Sequence, residues 1–182
     1  MDHSQPRRLE ERLARELGLA LLLLGVALVQ TALLPRPLGF TPNVLLMLVL
    51  SQALIAGAAN AARWAFYGGI SLDLCAGTLL GSHSLLLLAA VLVGTLPFVR
   101  LRRDNWFLPL GSALLGALTY YVLFPLVTGG LALLSNQTLL QTHMLIIVLP
   151  GVLIVLIPAL PLFTFMRWLE SRRRGEVPVD IY

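Results

Sequence analysis

Apolar residues occupy six long runs along the chain, separated by short stretches where proline, arginine or small polar residues collect. Runs near twenty residues are long enough to cross a hydrocarbon core of about 30 Å as helices. The pattern predicts spans over 17–34, 44–62, 64–80, 85–99, from 106 to about 127, and 142–166. Between the first two runs, Pro35, Pro37 and Pro42 exclude a continuous helix, and Thr41 before Pro42 reads as an N-cap and first helical residue. Pro125 should interrupt the fifth span, with Thr128 to Gln141 forming an outer loop or interfacial segment. Pro150, Gly151, Pro158 and Pro161 should kink the sixth.

The first run is longer than a signal-peptide core, lacks an Ala-x-Ala exit and leads into further spans, so it is expected to be an anchor that stays in place. Before it, the segment 1–16 alternates arginine and glutamate; it reads either as a surface amphipathic helix or as a solvated lead-in. The expected organisation is a cytoplasmic segment 1–16, one transmembrane domain 17–166 and a basic cytoplasmic tail 167–182.

Composition agrees with this class. Of 182 residues, 58% are hydrophobic and 12% charged, against roughly 25% charged in soluble domains. The basic residues are all arginines and lie at the ends of apolar runs, as topology signals do. No basic face carries interleaved stacking aromatics, which excludes a nucleic-acid partner. The lone Cys75 excludes an intrachain disulfide. With six spans and the N-terminus inside, Arg7, Arg8, Arg12, Arg15, Arg63, Arg100, Arg102, Arg103, Arg167, Arg172, Arg173 and Arg174 are cytoplasmic and only Arg36 is outside. That asymmetry predicts both termini in the cytoplasm and a multi-pass protein of a bacterial cytoplasmic membrane. Trp64, Trp106 and Trp168 then fall at the cytoplasmic edge, where an aromatic belt is expected. The arginine-rich 100–103 loop and tail suit anionic lipid or an acidic partner, beyond fixing topology.

One stretch, Trp64 to Ser84, carries the single acid found inside an apolar run. Ala65, Gly69, Asp73, Gly77 and Gly81 recur every fourth residue, one face of a continuous helix. Small residues at that spacing let a second helix approach closely. A second stripe, Ala53, Gly57 and Ala61, lies on the preceding span, where Gln52 and Asn60 suit interhelical hydrogen bonds. Asp73 is nine residues from Trp64, roughly 14 Å and near the midplane. A carboxyl there must be protonated, hydrogen-bonded to a neighbour or facing a wet cavity. A proton relay or ion site would need a second titratable group at that depth, and none is evident in the other spans. The structural reading is a carboxyl bonded across the glycine groove. Asp73→Asn should separate a neutral structural carboxyl, with a mild effect, from a charged one, with a severe effect.

His83 and His143, with Ser82, Ser84, Asn136, Gln137 and Gln141, gather at predicted outer ends and form a candidate outward-facing polar cluster. Two histidines without an outer carboxylate make a poor metal site. No nucleophile elbow, no phosphate loop and no Ser/His/acid set at one depth is present, so no catalysis, metal or cofactor is expected.

Phe40, Pro42 and Asn43 open one span as F-x-P-N, and Gly69, Asp73, Leu74, Gly77 and Gly81 follow as G-x-x-x-D-L-x-x-G-x-x-x-G. This ordered pair of motifs, over Phe40 to Gly81, resembles the MreD family of rod shape-determining proteins. The resemblance implies a non-enzymatic subunit of the bacterial elongation machinery that binds an MreC-like bitopic protein. Directly or through it, such a subunit associates with the RodA glycosyltransferase, a class B penicillin-binding transpeptidase and the MreB filament. It also implies an all-α polytopic fold like that of the substrate-binding membrane subunits of energy-coupling-factor vitamin transporters. The alternative function is therefore such a vitamin-binding subunit. That function needs a well-furnished outer pocket; the small-residue stripes suit helix contacts better.

Overall fold

The computed structural model describes residues 5–33, 42–98, 107–129, 141–142 and 144–174. Among these, all regular structure is helical. Helix α1 covers Gln5–Leu28 and runs on through a π-helical turn, Val29–Leu33. It is followed by α2 (Val44–Ala56), α3 (Ala58–Ala76), α4 (Ser82–Thr95, closing in a 3-10 turn, Leu96–Phe98), α5 (Phe107–Gly129) and α6 (Leu149–Arg174, entered through a π-helical turn, Met144–Val148). Among the described residues, three stretches are long and apolar enough to cross a membrane: Glu10–Leu33, Phe107–Val127 and Leu145–Leu169. Helices α2 and α4 are shorter and apolar.

Several boundaries differ from the sequence expectation. The break between the second and third apolar runs falls at Gly57, not at Arg63. Gly57 has φ 90° and ψ 167°, a conformation favouring glycine. The stripe Ala53, Gly57, Ala61 is therefore split: Ala53 is buried on α2, Gly57 makes the turn, and Ala61 is fully buried on α3. Helix α3 stops at Ala76, not Leu80, because Gly77 enters the left-handed region at φ 65° and caps the helix. The first helix needs no separate lead-in, since one continuous helix includes the charged residues from Gln5 onward. Pro125 lies within α5, and Pro158 and Pro161 within α6. The helix of the sixth run also continues past Met166, two turns into the expected tail.

Helix α2 lies at the centre, touching α1, α3, α4, α5 and α6. Its residues Leu45, Leu46 and Val49 are fully buried with Leu23 of α1, Ala61 and Ala65 of α3, and Leu86 and Leu87 of α4. Lipid is as apolar as these side chains, so close fit holds such helices together more than expulsion of water does. The glycines show where the fit is closest. Leu50 of α2 lodges between Gly94 of α4 and Gly116 of α5: a Cβ on Gly116 would come within 2.6 Å of Leu50 Cδ1, and one on Gly94 within 3.1 Å of Cδ2. Gly68 accepts Leu45, and Gly151 accepts the ring of Tyr121. Arg63 on α3 pairs with Glu16 on α1 at 2.9 Å, and these half-exposed side chains set the register of the two helices at one end of the bundle. Such a pair adds at most about 1 kcal/mol, so the apolar packing dominates.

Candidate functional site

The π-helical turn of α1 and the N-termini of α2 and α4 meet in one polar centre. Counting along the helices from the Glu16–Arg63 pair, Asp73 stands about 15 Å and Gln30 about 21 Å along the bundle. Both are buried, as are Asn43, Ser82, His83 and Ser84.

Asn43 is the N-cap of α2. Its side-chain oxygen accepts the Leu46 N–H at 3.0 Å. Gln30, placed by the π-helical turn, accepts the next orphan donor, the Leu45 N–H, at 3.1 Å. The Gln30 amide also donates to Asn43 Oδ1 across a longer 3.5 Å. The buried Tyr120 side chain of α5 reaches the Asn43 side chain. The helix thus begins one residue after the motif asparagine. Thr41, expected as the cap, lies outside the described residues, as does Phe40; Pro42 accepts the Val44 N–H at 3.0 Å. Removing an N-cap costs typically about 1 kcal/mol, and leaving its buried donors unpaired adds to that. Asn43→Ala should therefore lower the melting temperature of the detergent-solubilised protein, while Asn43→Ser should retain most of it. Equal melting of the two variants would remove Asn43 from this role.

Asp73 is only 1% exposed and makes the corresponding cap for α4 from another helix. The Gly81 N–H donates to Oδ2 at 2.7 Å, and the His83 N–H donates to Oδ1 at 3.1 Å. The Thr78 and Ser82 hydroxyls each donate to Oδ1 at 2.8 Å. His83 Nδ1 lies 2.7 Å from the same oxygen. A ring nitrogen facing a carboxylate carries its proton there, which assigns the tautomer of His83. Four donors converge on Oδ1 and one reaches Oδ2, and the negative carboxylate complements the positive N-terminal end of α4. The His83 ring packs against the stacked Tyr120 and Phe124 rings, with centroids 6.2 Å and 5.5 Å away.

Two expectations are corrected here. Asp73 does have a titratable neighbour at its own depth, and it is His83, brought back by a turn of only a few residues. His83 accordingly faces inward and not into an outward polar pocket. Ser84 also faces inward, its hydroxyl donating to the Phe66 carbonyl at 3.0 Å. Of the other cluster residues, Gln141 is exposed, and Asn136, Gln137 and His143 lie outside the described residues.

The fourfold small-residue face also changes. Ala65 and Gly69 are buried where α3 meets α4, and a Cβ on Gly69 would sit 2.3 Å from Ser84 Cα. Gly77 and Gly81 are not on that face. They have φ 65° and 92° and bend the chain so that Thr78, Ser82 and His83 reach Asp73; a Cβ on either would meet nothing within 4 Å. Leu74, the motif neighbour of Asp73, is exposed.

No protein-family model, curated protein or solved structure matches this chain. The geometry alone therefore describes what the centre does. It ties the turns of α1–α2 and α3–α4 to α5 with polar groups that satisfy one another. Sequence reasoning missed Gln30 and Tyr120, which have no local motif, and the α2–α4–α5 junction at Gly94 and Gly116. A scan for glycines facing apolar neighbours across predicted spans would have found the last two. Among the described residues no cluster of three or more His, Cys, Asp or Glu side chains is placed to hold a metal.

Proposed function

We propose that the chain is a non-catalytic membrane subunit of the bacterial cell-elongation complex, with six spans and both termini cytoplasmic. It binds an MreC-like bitopic partner and helps organise side-wall peptidoglycan synthesis. The observation that carries this reading is the occupation of the Asp73 carboxylate. Both polar motif residues, Asn43 and Asp73, are buried and accept from backbone N–H groups at the start of a helix, which is the chemistry of a scaffold. A catalytic or transporting carboxyl needs an acceptor position facing its substrate. The order of the F-x-P-N and G-x-x-x-D-L motifs supplies the family resemblance. The arginine asymmetry supports the cytoplasmic termini, and α2, α3 and α4 would complete the membrane domain around the three long apolar helices.

Tagged protein captured from native membranes, with mass spectrometry of what is retained, tests the assignment. The expected result is an MreC-like bitopic protein together with wall-synthesis enzymes. Recovery of transporter ATPases and their coupling subunit would replace this reading with the vitamin-binding one.

A further inference from the structure

The cytoplasm-facing end of α6, given that α6 crosses a membrane, has a construction that the scaffold reading does not use. Among the described side chains of α6, Phe163 and Met166 are the last that are buried in the bundle. The apolar stretch ends at Leu169, while the helix continues to Arg174. At that end Phe165 and Trp168, 55% and 48% exposed, stack with ring centroids 6.0 Å apart. The Arg172 guanidinium lies over the Trp168 ring, 4.2 Å from its centroid. A cation so placed is held at the level of the interfacial aromatic.

Arg167, Arg172, Arg173 and Arg174 fall on the last two turns, with Glu170 as the acid among them. At about 100° per residue they lie near 0°, 140°, 240° and 340° around the helix axis. A protein partner reads one face of a helix. Charges distributed around the whole circumference, just past the end of an apolar span, match a medium that surrounds the helix on several sides. The geometry points to a binding site for anionic phospholipid headgroups of the adjoining leaflet, formed by the end of α6. Arg172, steadied over the Trp168 ring, offers its N–H donors to one headgroup, and the neighbouring arginines recruit others. Arginine suits this role because its planar fork meets a phosphate through two parallel N–H donors.

The test uses the full-length chain with Trp64 and Trp106 replaced by phenylalanine, leaving Trp168 as the fluorophore. The protein is reconstituted in phosphatidylcholine vesicles carrying a minor fraction of brominated phosphatidylglycerol or brominated phosphatidylcholine. The brominated anionic lipid should quench Trp168 more strongly than the neutral one, and added salt should reduce the difference. One basic residue near a charged surface contributes about fivefold in relative affinity, so Arg172→Gln should lower the preference by up to that factor. The variant combining Arg172→Gln, Arg173→Gln and Arg174→Gln should abolish it. These residues follow Met166, the last described buried side chain of α6, and Arg172 is exposed, so both variants should keep the parent's melting temperature. Equal quenching by the two lipids, or a preference that survives the triple substitution, overturns the inference. Quenching by neither lipid overturns it together with the crossing of α6.

Discussion

Asp73→Ala is expected to abolish the monodisperse, folded protein in detergent. The side chain is 1% exposed and accepts from two backbone N–H groups, two hydroxyls and an imidazole. Hydroxyls can turn elsewhere, but the Gly81 and His83 N–H groups cannot leave the start of α4. A buried donor left unpaired costs about 1–3 kcal/mol. Losing this whole set should then cost about 4 kcal/mol or more, most of a typical stability of about 5–15 kcal/mol. Asp73→Asn should fall between. If its amide nitrogen takes the Oδ2 place, it opposes the Gly81 N–H; in the Oδ1 place it opposes four donors. The choice that loses least still strands one donor, so a shift of about 1–3 kcal/mol is expected. Size-exclusion profiles and thermal melts of the purified variants measure both effects. An alanine variant that melts within a few degrees of the parent would show that the carboxylate is dispensable to the fold.

Gly69→Ala should be nearly as damaging, although it adds a single methyl group. The new carbon would stand 2.3 Å from both Ser84 Cα and Ser84 N, so the backbone of α4 must withdraw. No side-chain rotation relieves a clash with backbone. Movement there would also disturb the Ser84–Phe66 hydrogen bond and the neighbouring Asp73 cap, raising the cost to the top of the usual overpacking range of about 1–3 kcal/mol or beyond. Gly25→Ala is the control, because nothing lies within 4 Å of its added carbon. In the helix interior it should gain up to about 1 kcal/mol. Gly77→Ala and Gly81→Ala should lose about 1–2 kcal/mol each through backbone strain at positive φ, with no clash. Melting temperatures in one detergent should rank Gly25→Ala, then the two turn variants, then Gly69→Ala. A Gly69→Ala protein as stable as Gly25→Ala would mean that α3 and α4 do not approach this closely.

The helical class was legible because unbroken apolar runs admit few other structures, and the extent of α5 followed closely from it, whereas α6 runs two turns beyond its expected end at Met166. The role of Asp73 was legible only in outline. Its isolation in an apolar run singled it out, but a fixed four-residue spacing gave the wrong account of Gly77 and Gly81. The same spacing fits a continuous helix and a helix ending in a glycine turn, and only backbone dihedrals separate them. Gly57 posed the same ambiguity: an apolar run containing one glycine reads as one span until the chain is seen to fold back there. Arg63 misled for a different reason. A boundary charge marks a depth along a helix and not its end, and Arg63 sits within α3, paired with Glu16 of α1. Gln30 and Tyr120 were invisible because their partners lie on other helices at distant positions.

The two polar links of the centre differ in loop length, and this orders the assembly of the chain. Every donor to Asp73 comes from residues 78–83, so closing that link needs only a loop of a few residues. As α3 and α4 emerge during synthesis, the carboxylate can find its hydrogen-bond donors within the hairpin, before the later helices are made. The Gln30–Asn43 link closes over a similarly short stretch. The contact of Asn43 with Tyr120 must wait until α5 has been made, because it closes a loop several times longer. Two helical hairpins, α1–α2 and α3–α4, packed directly on each other, then gain a late contact to Tyr120, and a chain truncated before α5 should retain the aspartate cap while lacking that contact.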